Sequence, residues 1–132
     1  MAKKKPKEPE YTLHVFHHVS ELSRKPGVLF VVQTVKEFGS FHYEVVLSGK
    51  REQNTVELSI EGLNTPTVVM PGQGSARGKR FFEGLQGRFD LKIRKPNGNA
   101  NEFGLEVLTE TIRVTSSPPH PFVRVILRPP DE

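Results

Sequence analysis

From Tyr11 onward the chain is patterned in twos. Short runs rich in Val, Ile, Phe, Leu and Thr alternate apolar with polar positions, and clusters of Gly, Pro, Asn and Ser separate them. Successive side chains of an extended strand point to opposite faces, so a run of this kind buries one face and wets the other. No window long enough for a core helix keeps a 3.6-residue period. The pattern predicts an all-β fold, a single-domain antiparallel β-sandwich of seven or eight strands. A small closed β-barrel is the alternative.

The first strand is YTLHVFHHV, residues 11–19, with Tyr11, Leu13, Val15 and Val19 on one face. VLFVVQTV (28–35) is apolar on both faces and belongs in the middle of a sheet. FHYEVVLSG (41–49) sends Phe41, Tyr43, Val45 and Leu47 inward, and KREQN turns the chain. TVELSIEGL (55–63) places Val56, Leu58 and Ile60 inside against Glu57, Ser59 and Glu61 outside. Pro66 and Pro71 bracket TVVM, a short strand suited to a sheet edge. RFDLKIRK (88–95) points Phe89, Leu91 and Ile93 inward, and Asn97-Gly98 marks a tight turn. The following run changes phase between Val107 and Ile112, which calls for a bulge or break near 108–111. FVRVILR closes the set, with Val123, Val125 and Leu127 inward.

Between these runs lies GQGSARGKRFFEGLQGR, residues 72–88. Its glycines and bases invite comparison with phosphate-cradling loops. A Walker loop requires a Ser or Thr after Gly78-Lys79, where Arg80 stands, and a glycine at Gln73. The dinucleotide fingerprint fails at Arg77, and no helical pattern follows. The stretch is read as a long connection from Gly72 to Gly87 that carries Arg77, Lys79 and Arg80.

Charge sharpens this reading. The 132 residues carry a formal net charge of +4. Residues 77–95 hold seven basic and two acidic side chains, and residues 1–10 hold four Lys and two Glu, so the rest of the chain is mildly acidic. Residues 1–10 have the composition of a disordered basic arm, leaving residues 11–132 as the sandwich domain. Arg88, Lys92 and Arg94 share one face of their strand by alternation, with Asp90 among them. Together with Arg77, Lys79 and Arg80 they form the candidate contact set for a partner or for phosphates. Phe81 and Phe82 are the candidate exposed aromatic pair beside it.

Other chemistry finds little footing. Cysteine is absent, which excludes disulfides and thiolate sites. No serine sits in a Gly-x-Ser-x-Gly elbow. His14, His18, His42 and Glu44 would approach a metal site only if the first and third strands paired. No apolar run is long enough to span a bilayer and no signal-type segment follows Met1, so the expectation is a cytoplasmic protein without a membrane partner. These readings converge on a non-catalytic interaction or assembly module with no cofactor and a protein partner. The alternative is a sequence-nonspecific nucleic-acid-binding protein using the basic 77–95 segment. A second alternative is a metal-dependent enzyme on a β-barrel.

Overall fold

A computed structural model describes residues 10–38, 44–64 and 74–130; within these, the side chains of residues 36–38, 44, 64 and 74–76 are not described. It contains nine strands: β1 (Tyr11–Val19), β2 (Pro26–Phe38), β3 (Glu44–Glu52), β4 (Thr55–Asn64), β5 (Gly74–Glu83), β6 (Gly87–Arg94), β7 (Ala100–Val107), β8 (Ile112–Ser116) and β9 (Val123–Ile126). Their hydrogen-bonded order is β8-β7-β6-β4-β3-β5-β2-β1-β9. The strands form two packed sheets, one of five and one of four, that do not close into a barrel. The ladder between β3 and β5 is a single parallel pair, Glu44 opposite Arg77. The order therefore divides there, into β8-β7-β6-β4-β3 and β5-β2-β1-β9.

The all-β sandwich is as the alternation predicts. The pairing is less uniform than a purely antiparallel sheet. Where neighbours in sequence pair they do so antiparallel, as β1 with β2 and β6 with β7, and β5 joins β2 antiparallel as well. Two strands that return from a distance, β9 beside β1 and β6 beside β4, pair in parallel.

The core lies between the layers. Phe30 of β2 is fully buried and meets Phe82 of β5 and Phe89 of β6 edge-on, at 5.5 and 6.3 Å between ring centroids. Both distances fall in the range where the electropositive edge of one ring meets the face of another. Leu13 and Val15, Val56 and Leu58, and Leu91 and Ile93 fill the same space, so the inward phases assigned to β1, β4 and β6 hold. Two end positions do not follow. Val19 keeps the inward phase but is 57% exposed, and Leu127, expected inside, is 39% exposed because β9 stops at Ile126. The break expected at 108–111 is a hairpin turn, closed by Leu108 N–H donating to the Thr111 carbonyl at 2.8 Å.

At the opposite end Glu10, read above as the last residue of the arm, is already tied into the sheet: its N–H donates to the Phe122 carbonyl at 2.8 Å, and its carboxylate pairs with Lys95. Burial pushes the Tyr11 phenol above its usual pKa, Glu10 adds to the shift and Lys95 opposes it. Asn101, itself buried, accepts the Phe122 N–H through Oδ1 at 2.8 Å. The TVVM strand, Phe41 and Tyr43 lie outside the described residues.

Candidate functional site

The Gly-rich stretch is not a long connection. Residues 74–83 form β5, a full member of the four-stranded layer, paired antiparallel with β2 from Gly27–Glu83 to Gln33–Arg77. Glycine is needed at the point where β5 passes β3. A Cβ on Gly78 would lie 2.3 Å from the Val45 carbonyl oxygen. Gly27 plays the matching role on the β2 side, where a Cβ would come within 2.4 Å of the Phe82 carbonyl oxygen. The connection to β6 shrinks to Gly84–Gln86, with Gly84 in a left-handed conformation at φ +68°.

Making 74–83 a strand reassigns its side chains. Phe81 and Phe82 are consecutive residues of one strand and so point to opposite faces. Phe82 packs on the core, while Phe81 faces outward and meets His18 edge-on at 5.9 Å. Both are half-buried, so they do not form an exposed aromatic pair. Arg77 and Lys79 share the outward face with Phe81. Arg80 has the other phase, and its chain lies beside Gly49 of β3. A shallow cleft of about 440 Å³ follows this seam, lined by Val45, Val46, Leu47, Arg77, Gly78, Lys79 and Arg80.

The second half of the predicted basic set lies elsewhere. Arg88, Lys92 and Arg94 are on β6, in the five-stranded layer, so the two halves do not merge into one patch. The β6 row is also interleaved with carboxylates. Arg88 Nε is 3.5 Å from Glu106, Arg94 is 3.8 Å from Glu57, and Asp90 sits between Arg88 and Lys92 on the same face. Exposed pairs like these add little stability, but they cancel much of the local potential.

The register of β9, β1, β2 and β5 builds a different surface on the outer face of the four-stranded layer. Phe16, Leu29 and Phe81 are cross-strand neighbours in one row. The next row runs Ile126, His14, Val31 and Lys79, and the one after it Arg124, Thr12, Gln33 and Arg77. The face thus grades from aromatic and aliphatic to basic. Arg77, Lys79 and Arg124 are exposed. Among the described outward positions of these four strands the one carboxylate is Glu83, which lies at the turn end, 3.5 Å from Lys25 Nζ. His14 is buried on this face, with Nδ1 3.0 Å from the Arg128 carbonyl oxygen, so the chain leaving β9 bends onto it. His18 stands edge-on to Phe16 at 6.5 Å as well as to Phe81.

The metal arrangement required β1 beside β3. Instead β1 is flanked by β2 and β9. His14 and His18 are four residues apart on one strand, about 13 Å along its axis, too far to share an ion. His42 and the Glu44 side chain lie outside the described residues, and among those described no group of three His, Cys, Asp or Glu converges.

What the residues define is therefore a class by architecture: a two-layer β-sandwich with one graded aromatic and basic sheet face. Comparison with known proteins returns no matching family model, no matching curated protein and no matching solved structure.

Proposed function

We propose that this chain is a non-catalytic interaction module whose working surface is the outer face of the β5-β2-β1-β9 layer. One observation carries the reading: Phe16, Leu29 and Phe81 form an apolar row on that face, with Arg77, Lys79 and Arg124 exposed beyond it. Apolar and aromatic side chains rimmed by polar ones are the usual make-up of a docking surface. The five-stranded layer supports the reading by contrast, because its outward face alternates both signs of charge around ion pairs such as Arg113–Glu106. Binding of nucleic acid through a merged 77–95 patch has less support, since the two basic groups lie on different layers.

The test is site-specific photo-crosslinking in extract from the source organism. A photoreactive residue replaces Gln33, between Thr12 and Arg77 in the basic row of the candidate face, or Glu102, exposed on the other layer. Discrete adducts from position 33 and none from position 102 are the expected result. Equal labelling from both positions, or none from 33, overturns the choice of surface.

A further inference from the structure

The four-stranded layer is one strand short along part of its edge. β9 lies beside Tyr11–His14 of β1, and among the described residues no strand lies beside Val15–Val19 on that side. The chain leaves the edge at Ile126 and bends over the outer side of the layer, where His14 Nδ1–H donates to the Arg128 carbonyl at 3.0 Å. We propose that this free edge of β1 accepts an extended strand from a partner protein, with apolar residues at alternate positions turned into the sandwich. The site is the edge of the layer, and it stands or falls independently of the outer face assigned above.

Main-chain direction defines the edge. Val35 N–H donates to the Glu10 carbonyl, and Tyr11 N–H donates to the Phe122 carbonyl. The two directions alternate in an antiparallel ladder, so even residues of β1 turn their main-chain groups to β2 and odd residues turn theirs away. Val15, His17 and Val19 therefore present N–H and C=O groups to the open side, along about 16 Å of strand. Folded proteins blunt such an edge with a bulge, a Pro or a charge. β8 has a register shift beside Gly104 and carries Arg113. β3, beyond its single pair with β5, carries Lys50 and Arg51. VFHHV, residues 15–19, has no Pro, Lys, Arg, Asp or Glu, and its ladder to β2 is unbroken.

The inner side is incomplete at the same place. Val114 of β8 pairs with the fully buried Leu105 and so has the inward phase, yet it is 38% exposed. Ile112 is half-buried, and Val19 keeps the inward phase in the open. His17 Nε2 lies 3.4 Å from the Thr111 carbonyl oxygen, which sets the start of β8 against the end of β1. A strand laid beside Val15–Val19 closes over Val19 and Val114 from the missing position.

The slot selects its occupant. Main-chain groups without a ladder call for another extended chain, and an uncharged apolar floor calls for Val, Ile, Leu or Phe at every second residue. The arm, residues 1–10, has four Lys, two Pro and no large apolar residue after Met1. A folded second copy brings a further layer about 10 Å behind any strand it offers with its apolar side inward, and β8 already stands there. A single strand of another protein meets neither obstacle.

The experiment is selection of displayed random peptides, about nine residues long, on the full chain, followed by anisotropy and amide hydrogen exchange with an enriched peptide. Enrichment of Val, Ile, Leu or Phe at alternate positions, without Pro between them, is expected. Bound peptide slows exchange of the His17 and Val19 amides. Methylating the peptide's amides abolishes binding in one alternate phase and spares it in the other. Val19→Lys and Val114→Lys each weaken binding by about tenfold or more, because the added strand would bury an ammonium group, while Val46→Lys, equally exposed on β3, leaves it unchanged. Far-UV circular dichroism identifies a variant that has lost its fold, and the more exposed Val19 position then decides. Slowed exchange along β8 instead of β1, binding indifferent to amide methylation in both phases, or binding indifferent to Val19→Lys overturns the proposal. Self-association of the chain that is lost in Val19→Lys gives the edge to a second copy and overturns the partner strand.

Discussion

Replacing Gly78 by alanine puts the strand assignment of β5 at risk with a change of sign. In an exposed connection, Gly→Ala narrows the unfolded ensemble and stabilises a protein by about 0.4–1 kcal/mol. In β5 the new Cβ would lie 2.3 Å from the Val45 carbonyl oxygen, with Val45 Cβ at 3.0 Å. Ordinary C···O contacts fall near 3.3–3.6 Å, so the two backbones must part by about 1 Å. The obstacle is main chain held by its own ladder, so no side-chain rotation relieves it. Overpacking of this kind costs about 1–3 kcal/mol, and the rigid obstacle puts Gly78→Ala near the upper end. After subtracting the unfolded-state gain, the net loss is about 2 kcal/mol. With a urea slope of about 2 kcal/mol/M, the unfolding midpoint falls by about 1 M. The chain has no Trp, so far-UV circular dichroism is the suitable probe. Gly49→Ala is the internal control. Its Cβ would meet side chains rather than main chain, Leu58 Cδ2 and Phe82 Cζ at 3.1 Å and Arg80 Cγ at 3.4 Å, which can shift. A Gly78→Ala protein at least as stable as the native one, or one less perturbed than Gly49→Ala, would refute the seam between β3 and β5.

Three further outcomes follow from the packing and the charges. Phe30→Ala opens a cavity between Phe82 and Phe89 and costs about 3–5 kcal/mol in urea unfolding, with Phe30→Leu costing less. Asn101→Leu leaves the Phe122 N–H without its 2.8 Å acceptor and costs about 1–3 kcal/mol, whereas Glu110→Leu on the exposed 108–111 turn stays within about 0.5 kcal/mol. Tyr11→Phe changes the alkaline limb of the stability curve. The phenol titrates at higher pH folded than unfolded, so between the two values the native state holds more protons and stability falls as pH rises. That loss begins above pH of about 10, where an unfolded tyrosine ionises, and denaturation midpoints there should fall less steeply in the Phe variant.

The parts of the fold that were legible in the sequence are those whose stability comes from buried alternate side chains. Val56, Leu58 and Ile60 in β4, and Phe89, Leu91 and Ile93 in β6, are all 4% exposed or less, and their alternation announces it. β5 is held differently. Its inward phase supplies Gly78, Arg80 and Phe82, only one of which is a large apolar residue, and the strand is secured by its ladder to β2 and its close passage under β3. Hydropathy is silent about a strand of that kind. The informative signal was the two-residue recurrence of Arg77, Lys79 and Phe81, which has meaning only once the segment is extended. Val19 and Leu127 show the opposite failure, where alternation runs on past the end of the partner layer or of the strand. The candidate face could not be read from any single run. It depends on the order β5-β2-β1-β9, which brings Phe16 to Phe81 across Leu29, and pairing between strands so distant in sequence leaves no local trace.

Fold and candidate site meet in β5, and that decides how the surface can be probed. The strand sends Phe82 to the core and Phe81 to the outer face from adjacent positions, so any change that tilts the backbone disturbs both. Phe81→Ala removes a ring that also touches His18 and lies 2.6 Å from where a Gly27 Cβ would be, so lost binding in that variant would mix recognition with packing. Lys79 is different. It is exposed, it pairs across the ladder with Val31, and its ammonium group contributes little to stability at the surface. Lys79→Glu changes the sign of the face at its centre while leaving the ladder intact. A binding defect in that variant with an unchanged urea midpoint assigns the loss to the surface, and the same defect with a fallen midpoint assigns it to the strand.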